Sequence, residues 1–178
     1  MTENTEEQWL NKGLRLLDRS GRSSLKISRL CAELNLTKGS FYHWFKSKQE
    51  FDQRLLSYWR ELFTSEFIKD ANHGGTSKEK LARLIEKCIE GMKDESRLEI
   101  EINMWGHQER SIGEFVEKVY KERFQYLIDL LEDIYKNKDE AKRHGHILYS
   151  LMIGVELFHE NLSRKELKSI FREYLPPS

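Results

Sequence analysis

Phosphate binding is the first chemistry this sequence offers. From Arg22 to Lys48 the charged residues are Arg22, Lys26, Arg29, Lys38, Lys46 and Lys48 against one acid, Glu33, a local charge of plus five in a chain whose 30 Lys and Arg are balanced by 30 Asp and Glu. A concentrated basic region is the electrostatic footprint of a surface that meets nucleic-acid phosphates. A solvated helix face can carry similar charge, so the apolar pattern inside the region has to discriminate.

Metal chemistry is the second possibility. Glu156-Leu157-Phe158-His159 has the Glu-x-x-His spacing of a di-iron carboxylate site, but the sequence holds no second copy. A structural Glu and an interfacial His fit better, and neither a metal nor a cofactor is expected. His144 and His146 stand two apart, on different faces of a helix. No Gly-x-Ser-x-Gly, His-Glu-x-x-His, Walker or dinucleotide-binding pattern occurs, so no enzyme is expected. A helical metal-binding protein or enzyme using Glu156 and His159 is the rival reading. Ligand burial is the third possibility. Met104, Trp105, Tyr120, Phe124, Tyr149 and Met152 are large, soft or amphipathic groups able to line an apolar pocket between helices, with Gly106 and Gly113 framing one segment. Ordinary core packing competes for each of them.

The elements that must position these groups are helices. Val occurs only at 116, 119 and 155, Leu, Glu and Lys are abundant, and both prolines, Pro176 and Pro177, lie at the end of the chain, so the fold class is all-α. Six Ser or Thr residues precede Glu or Gln by three positions, the capping-box spacing: Thr5/Gln8, Ser47/Glu50, Thr76/Glu79, Ser96/Glu99, Ser111/Glu114 and Ser163/Glu166. Five are followed by helical apolar spacing. After Ser96, Leu98, Ile100, Ile102 and Met104 alternate with period two, but an isolated strand would leave its backbone unpaired, so a helix is expected there as well. The segment from Ala141 to Leu162 is apolar on two faces and belongs at the centre or at a subunit interface. Ala71 to Thr76, with paired glycines, reads as a linker. Cys31 and Cys88 are the only cysteines, far apart, which fits a reducing compartment. The acidic start, Met-Thr-Glu-Asn-Thr-Glu-Glu, is unlike a signal peptide, and no run approaches the roughly 18 apolar residues of a membrane span. A cytoplasmic protein with no membrane partner is expected.

Within the basic region Ile27, Leu30, Cys31 and Leu34 line one face of a short helix. Asn35 then suits a tight, left-handed turn. Thr37 can cap a second helix, with Leu36 and Phe41 as a hydrophobic staple and Phe41 and Phe45 on its inner side. Lys38, Gly39, Ser40, Tyr42 and His43 remain outside, the geometry of a helix-turn-helix whose second helix enters the DNA major groove. Gly39 would let the backbone approach DNA closely. Tyr42 and Lys48 suit phosphate contacts, the latter because a cation in the first turn of a helix opposes the dipole.

The run Thr37-Lys38-Gly39-Ser40-Phe41-Tyr42-His43-Trp44-Phe45-Lys46-Ser47-Lys48-Gln49-Glu50-Phe51 resembles the signature of the tetracycline-repressor (TetR) family of bacterial transcription regulators. Ile27 to Leu36 is similar to that family's first motif helix. The resemblance extends from about Trp9 to Leu56; it departs at Asn35, where the family often has Gly, and near Lys26 and Ser28, where it often has Thr or Arg. It implies a three-helix DNA-binding domain over 1–48 and a helical ligand-binding and dimerisation domain over 49–178, with 47–70 as the connecting helix. It also implies a homodimer on a palindromic double-stranded DNA operator, most often a repressor released by a small-molecule effector. The expected DNA-contacting residues are Lys26, Ser28, Thr37, Lys38, Gly39, Ser40, Tyr42, His43 and Lys48. The expected dimer surface comprises Ile147, Leu151, Gly154 and Phe158 on the doubly apolar helix, with Leu167, Ile170, Phe171 and Tyr174 on the helix after Ser163.

Overall fold

Thr5 opens the first helix, α1 (Glu6–Ser20), through a reciprocal cap: its hydroxyl accepts from the Gln8 N–H, and the Gln8 side chain accepts from the Thr5 N–H. The computed structural model describes residues 5–91, 96–158 and 162–175, except the side chains of Ser96 and of residues 156–158. α1 is followed by a short 3₁₀ turn (Arg22–Ser24), α2 (Ile27–Leu34), α3 (Lys38–Trp44) and α4 (Lys48–Arg60). A π-helical turn (Glu61–Ser65) joins α4 to α5 (Glu66–Ala71). Then come α6 (Ser77–Gly91), α7 (Ser96–Gln108), α8 (Arg110–Tyr135), α9 (Lys138–Phe158) and α10 (Arg164–Glu173). The chain is all-α, with no strand among the described residues and no helix among them long and apolar enough to cross a membrane.

Thr76/Glu79 and Ser163/Glu166 form the expected reciprocal caps. At Ser47 the hydroxyl accepts from the Glu50 N–H, while the Glu50 carboxylate reaches one residue further back, to the Lys46 N–H at 2.8 Å. Ser111 is not a cap. α8 begins before it, the Ser111 hydroxyl donates to Glu109, and Glu114 pairs with Arg110 instead. The cap side chain of Ser96 lies outside the described residues, yet α7 is a helix despite its period-two sequence. Leu98, Ile102 and Trp105, spaced by four and three, are its buried stripe, and Met104 is exposed.

Two apolar clusters hold the chain. The first joins Trp9, Leu17, Phe41, Phe45, Phe51 and Trp59 to Leu98, Ile102, Trp105, Ile112 and Val116, so it runs from α1 through α4 into α7 and the start of α8. The second is built by α5, α6, the later half of α8, α9 and α10. Leu167 and Phe171, expected at a dimer interface, are instead 3% and 1% exposed within this second cluster, where α10 packs on α6. They keep no surface to offer another subunit, because the amphipathic stripe of α10 is consumed by its own chain.

Gly106 and Gly113 likewise turn out to be packing residues. They bring α7 and α8 together so closely that a Cβ on Gly113 would lie 2.7 Å from the Gly106 carbonyl oxygen. A backbone atom cannot swing aside. Gly113→Ala is therefore expected to cost about 1–3 kcal/mol through overpacking, read as a lower melting temperature. An unchanged melting temperature would show that the α7–α8 corner gives way freely.

Candidate nucleic-acid interface and internal cavity

The turn between α2 and α3 is set by Asn35, whose φ of 54° and ψ of 43° place it in the left-handed region. The N–H groups of Asn35 and Leu36 return to the carbonyls of Ala32 and Cys31 at 3.2 and 2.9 Å, closing α2. Thr37 then caps α3, accepting from the Ser40 N–H at 3.2 Å. Phe41 is fully buried, with its ring 5.5 Å from Trp9, 5.1 Å from Phe45 and 5.5 Å from Phe51, centroid to centroid. This aromatic knot fixes which side of α3 faces inward.

The opposite side is consequently free. Lys38, Gly39 and His43 are exposed and Tyr42 is 53% exposed, while Ser40 is half-buried with its hydroxyl 3.1 Å from that of Thr37. A Cβ on Gly39 would meet only the Thr37 hydroxyl, at 3.5 Å, so nothing inside the protein demands glycine there. Lys26 and Ser28 flank the start of α2, Lys26 exposed.

Lys26, Ser28, Lys38, Tyr42 and Lys48 converge on one concave surface, together with Arg22 and Asp52. Thr37, Gly39, Ser40 and His43 lie outside that concavity. The Lys48 ammonium is bound to the Asp52 carboxylate one helical turn further on. Burial pulls the Lys48 ammonium below the usual lysine range although Asp52 opposes it, and burial pushes the Asp52 carboxyl up. The charge that looked misplaced at a helix N-terminus thus has an internal partner. Sequence reasoning missed Asp52, although its i+4 spacing from Lys48 was the available signal. Arg22, which lines the same concavity, reaches Glu109 at 3.3 Å and stacks over Trp105 at 4.3 Å. The Trp105 indole donates to the same carboxylate at 3.2 Å, and these contacts hold Glu109 below the usual carboxylate range. Lys26 and Lys38 make no ion pair among the described residues.

A second concave feature, a cavity of about 390 Å³, lies between the end of α4, the π-helical turn and α5 to α9. Met104, Tyr120, Tyr149 and Met152 line it. Trp105 and Phe124 do not. Trp105 is 1% exposed and faces Arg22, because the stripe it shares with Leu98 and Ile102 points toward α1. Phe124 packs on His146 and Tyr149 at ring separations of 4.8 and 5.4 Å. Residues that periodicity alone did not single out complete the wall, chiefly Trp59, Phe63, Phe67, Glu99, Asn103 and Arg123. Their common signal was faint: each is polar or aromatic on a helix already amphipathic for another reason.

No group of three or more His, Cys, Asp or Glu among the described residues is placed to hold a metal ion. His159 and the Glu156 side chain lie outside those residues, as does the Phe158 side chain.

Neither a protein-family model nor a curated protein matches the chain. Solved structures do. A TetR transcriptional regulator from Legionella pneumophila is 15% identical, over 99% of this chain and 100% of that one, with a TM-score of 0.81. A TetR-family regulator from Streptomyces coelicolor is 13% identical, over 98% and 88%, with a TM-score of 0.81. A putative transcriptional regulator from Saccharomonospora viridis in complex with choline is 14% identical, over 95% and 94%, with a TM-score of 0.78. The chain therefore has the all-α fold of TetR-family transcriptional regulators.

Proposed function

We propose that this protein is a homodimeric DNA-binding transcriptional regulator, a repressor that a small molecule releases from a palindromic operator. The observation that carries the reading is α3: its inner side is locked by buried Phe41 and Phe45, and its outer side presents Lys38, Tyr42 and His43 beside the exposed cation of Lys26. Residues 1–48 make the DNA contact in this reading, and 49–178 sense and dimerise. Residues 47–70 connect them as α4, the π-helical turn and α5. Fold likeness to transcriptional regulators supports it, and the neighbour in complex with choline supports a small-molecule effector. Control by ligand requires different ligand affinities for the DNA-competent and incompetent spacings of the two α3 helices. Selection of bound fragments from a random DNA pool tests the reading. A near-palindrome with half-sites about 34–36 Å apart, or a multiple, is expected; a pool that yields no consensus overturns it.

The dimer surface we assign to the outer face of α9, where Ile147 is 46% exposed and Leu151 is half-buried, with Ile170 and Tyr174 at α10 as further exposed or half-buried groups. A two-fold contact would cover them. A Cβ on Gly154 meets nothing within 4 Å, so Gly154→Glu is expected to leave the subunit folded and to shift light scattering at micromolar concentration from dimer toward monomer. A variant as dimeric as the parent would move the interface elsewhere.

A further inference from the structure

Among the described residues the wall of the internal cavity carries one carboxylate, Glu99, and one guanidinium, Arg123, besides the exposed imidazole of His107, and the pairing of the first two selects among ligands. Arg123 gives Nη1 to Glu99 and Nε to the Thr64 hydroxyl at 2.8 Å. The Trp59 indole donates to the second Glu99 oxygen at 2.9 Å. The Arg123 guanidinium carbon stands 4.9 Å from the centre of the Trp59 ring and 5.6 Å from that of Tyr120. The side chains of Arg123 and Glu99 are only 19% and 16% exposed.

A lipophilic cation entering an aromatic pocket needs ring faces and a counter-charge. Here the protein's own cation already takes the Glu99 counter-charge and two of the rings, so a second cation would find aromatic faces but no carboxylate left to match it. The ring faces of Trp59 and Tyr120 are met by Arg123, and the Glu99 carboxylate is matched by Arg123 and the indole. An anion fares no better, because the guanidinium it would seek stands against Glu99. The Glu99–Arg123 couple sums to zero, and the rest of the lining is largely aliphatic and aromatic, including Phe63, Phe67 and Met152. Either kind of ion would surrender its hydration beside a Glu99–Arg123 couple whose two charges already match each other.

We infer that the cavity accepts an uncharged, ring-bearing lipophile in preference to a cation or an anion of the same size. The inference rests on the regulator reading only in treating this molecule as the effector.

The test uses three naphthalene probes with the full-length chain and no DNA: uncharged N-phenyl-1-naphthylamine, its anionic relative 1-anilinonaphthalene-8-sulfonate, and cationic (1-naphthylmethyl)trimethylammonium. Saturable binding of the uncharged probe, at least about tenfold tighter than either ion, is expected. A Gly91→Leu variant locates it. A Cβ there would stand 3.6 Å from the Phe67 ring, so the larger side chain fills the cavity and should abolish binding. In Arg123→Met the carboxylate is left without its cation, and preference should swing toward the ammonium by about tenfold or more; Glu99→Gln/Arg123→Met should restore preference for the uncharged probe. Melting curves without probe identify any variant that fails to fold, and the ranking on the parent protein then decides alone. Equal or tighter binding of either ion by the parent overturns the inference, as does binding of no probe or retention of binding in a folded Gly91→Leu. These results are separable from the function: a chain that selects an operator yet prefers an ion refutes only the inference. One that binds the uncharged probe without a DNA consensus refutes only the regulator reading.

Discussion

Lys38→Ala is expected to change which operator the protein prefers, at about 1–3 kcal/mol for each base edge it no longer reads, counted once in each half-site of a symmetric complex. Two half-sites together should weaken binding to the selected operator on the order of a hundredfold or more. Lys26→Ala should behave differently. Lys26 stands at the start of α2 and suits a phosphate, which positions the protein without reporting sequence. Its removal should weaken operator and scrambled duplex alike, and flatten the log-log salt dependence by about 0.9 for each phosphate released. A salt titration of both variants on both duplexes separates the roles. Unchanged affinity in both would place the DNA-binding surface away from this concavity. Lys48 is a poor choice for the same experiment, because removing it strands the buried Asp52 carboxylate and mixes folding with binding.

Phe41→Ala is expected to have the largest effect on stability. The ring is wholly buried and packs with Trp9, Phe45 and Phe51, and also with Tyr42 on its own helix at 5.4 Å. Deleting a buried Phe typically costs about 3–5 kcal/mol, the transfer term plus the cavity left behind. In a chain of this size that is a fall in melting temperature on the order of 10 °C. DNA binding should fail with it, since the knot is what orients α3. Tyr42→Ala, on the outer side of the same helix, should melt nearly as the parent does while still binding DNA more weakly. Calorimetry alongside DNA binding reads both, and a Phe41→Ala protein as stable as its parent would show that α3 is positioned by its backbone turns alone.

Much of the region from α1 to α3 was legible before any fold was known, and for a local reason. A capping hydroxyl, a left-handed Asn and an aromatic residue four positions on act within one or two turns, so spacing along the chain is also spacing in space. Thr37, Asn35 and Phe41 behave as their types and intervals dictate. The period-two stretch of α7 is the instructive exception within local reasoning. Its Leu98–Ile102–Trp105 stripe was present, but masked by Ile100 and Met104 on other faces.

What the sequence alone determined, then, is the all-α class, most helix starts, the basic face and the inward and outward sides of α3. Each follows from residues close in the chain. Only the tertiary structure decided what distant residues do to one another. It gave Arg22 an internal partner, turned Trp105 toward that arginine, used Leu167 and Phe171 inside their own subunit, and closed α7 on α8 at Gly106 and Gly113. It also brought Glu99 from α7 and Arg123 from α8 onto the same indole of α4. Periodicity tells which side of a helix is apolar; it carries no information about which neighbour will cover that side. A buried charge finds its partner only once the helices are packed.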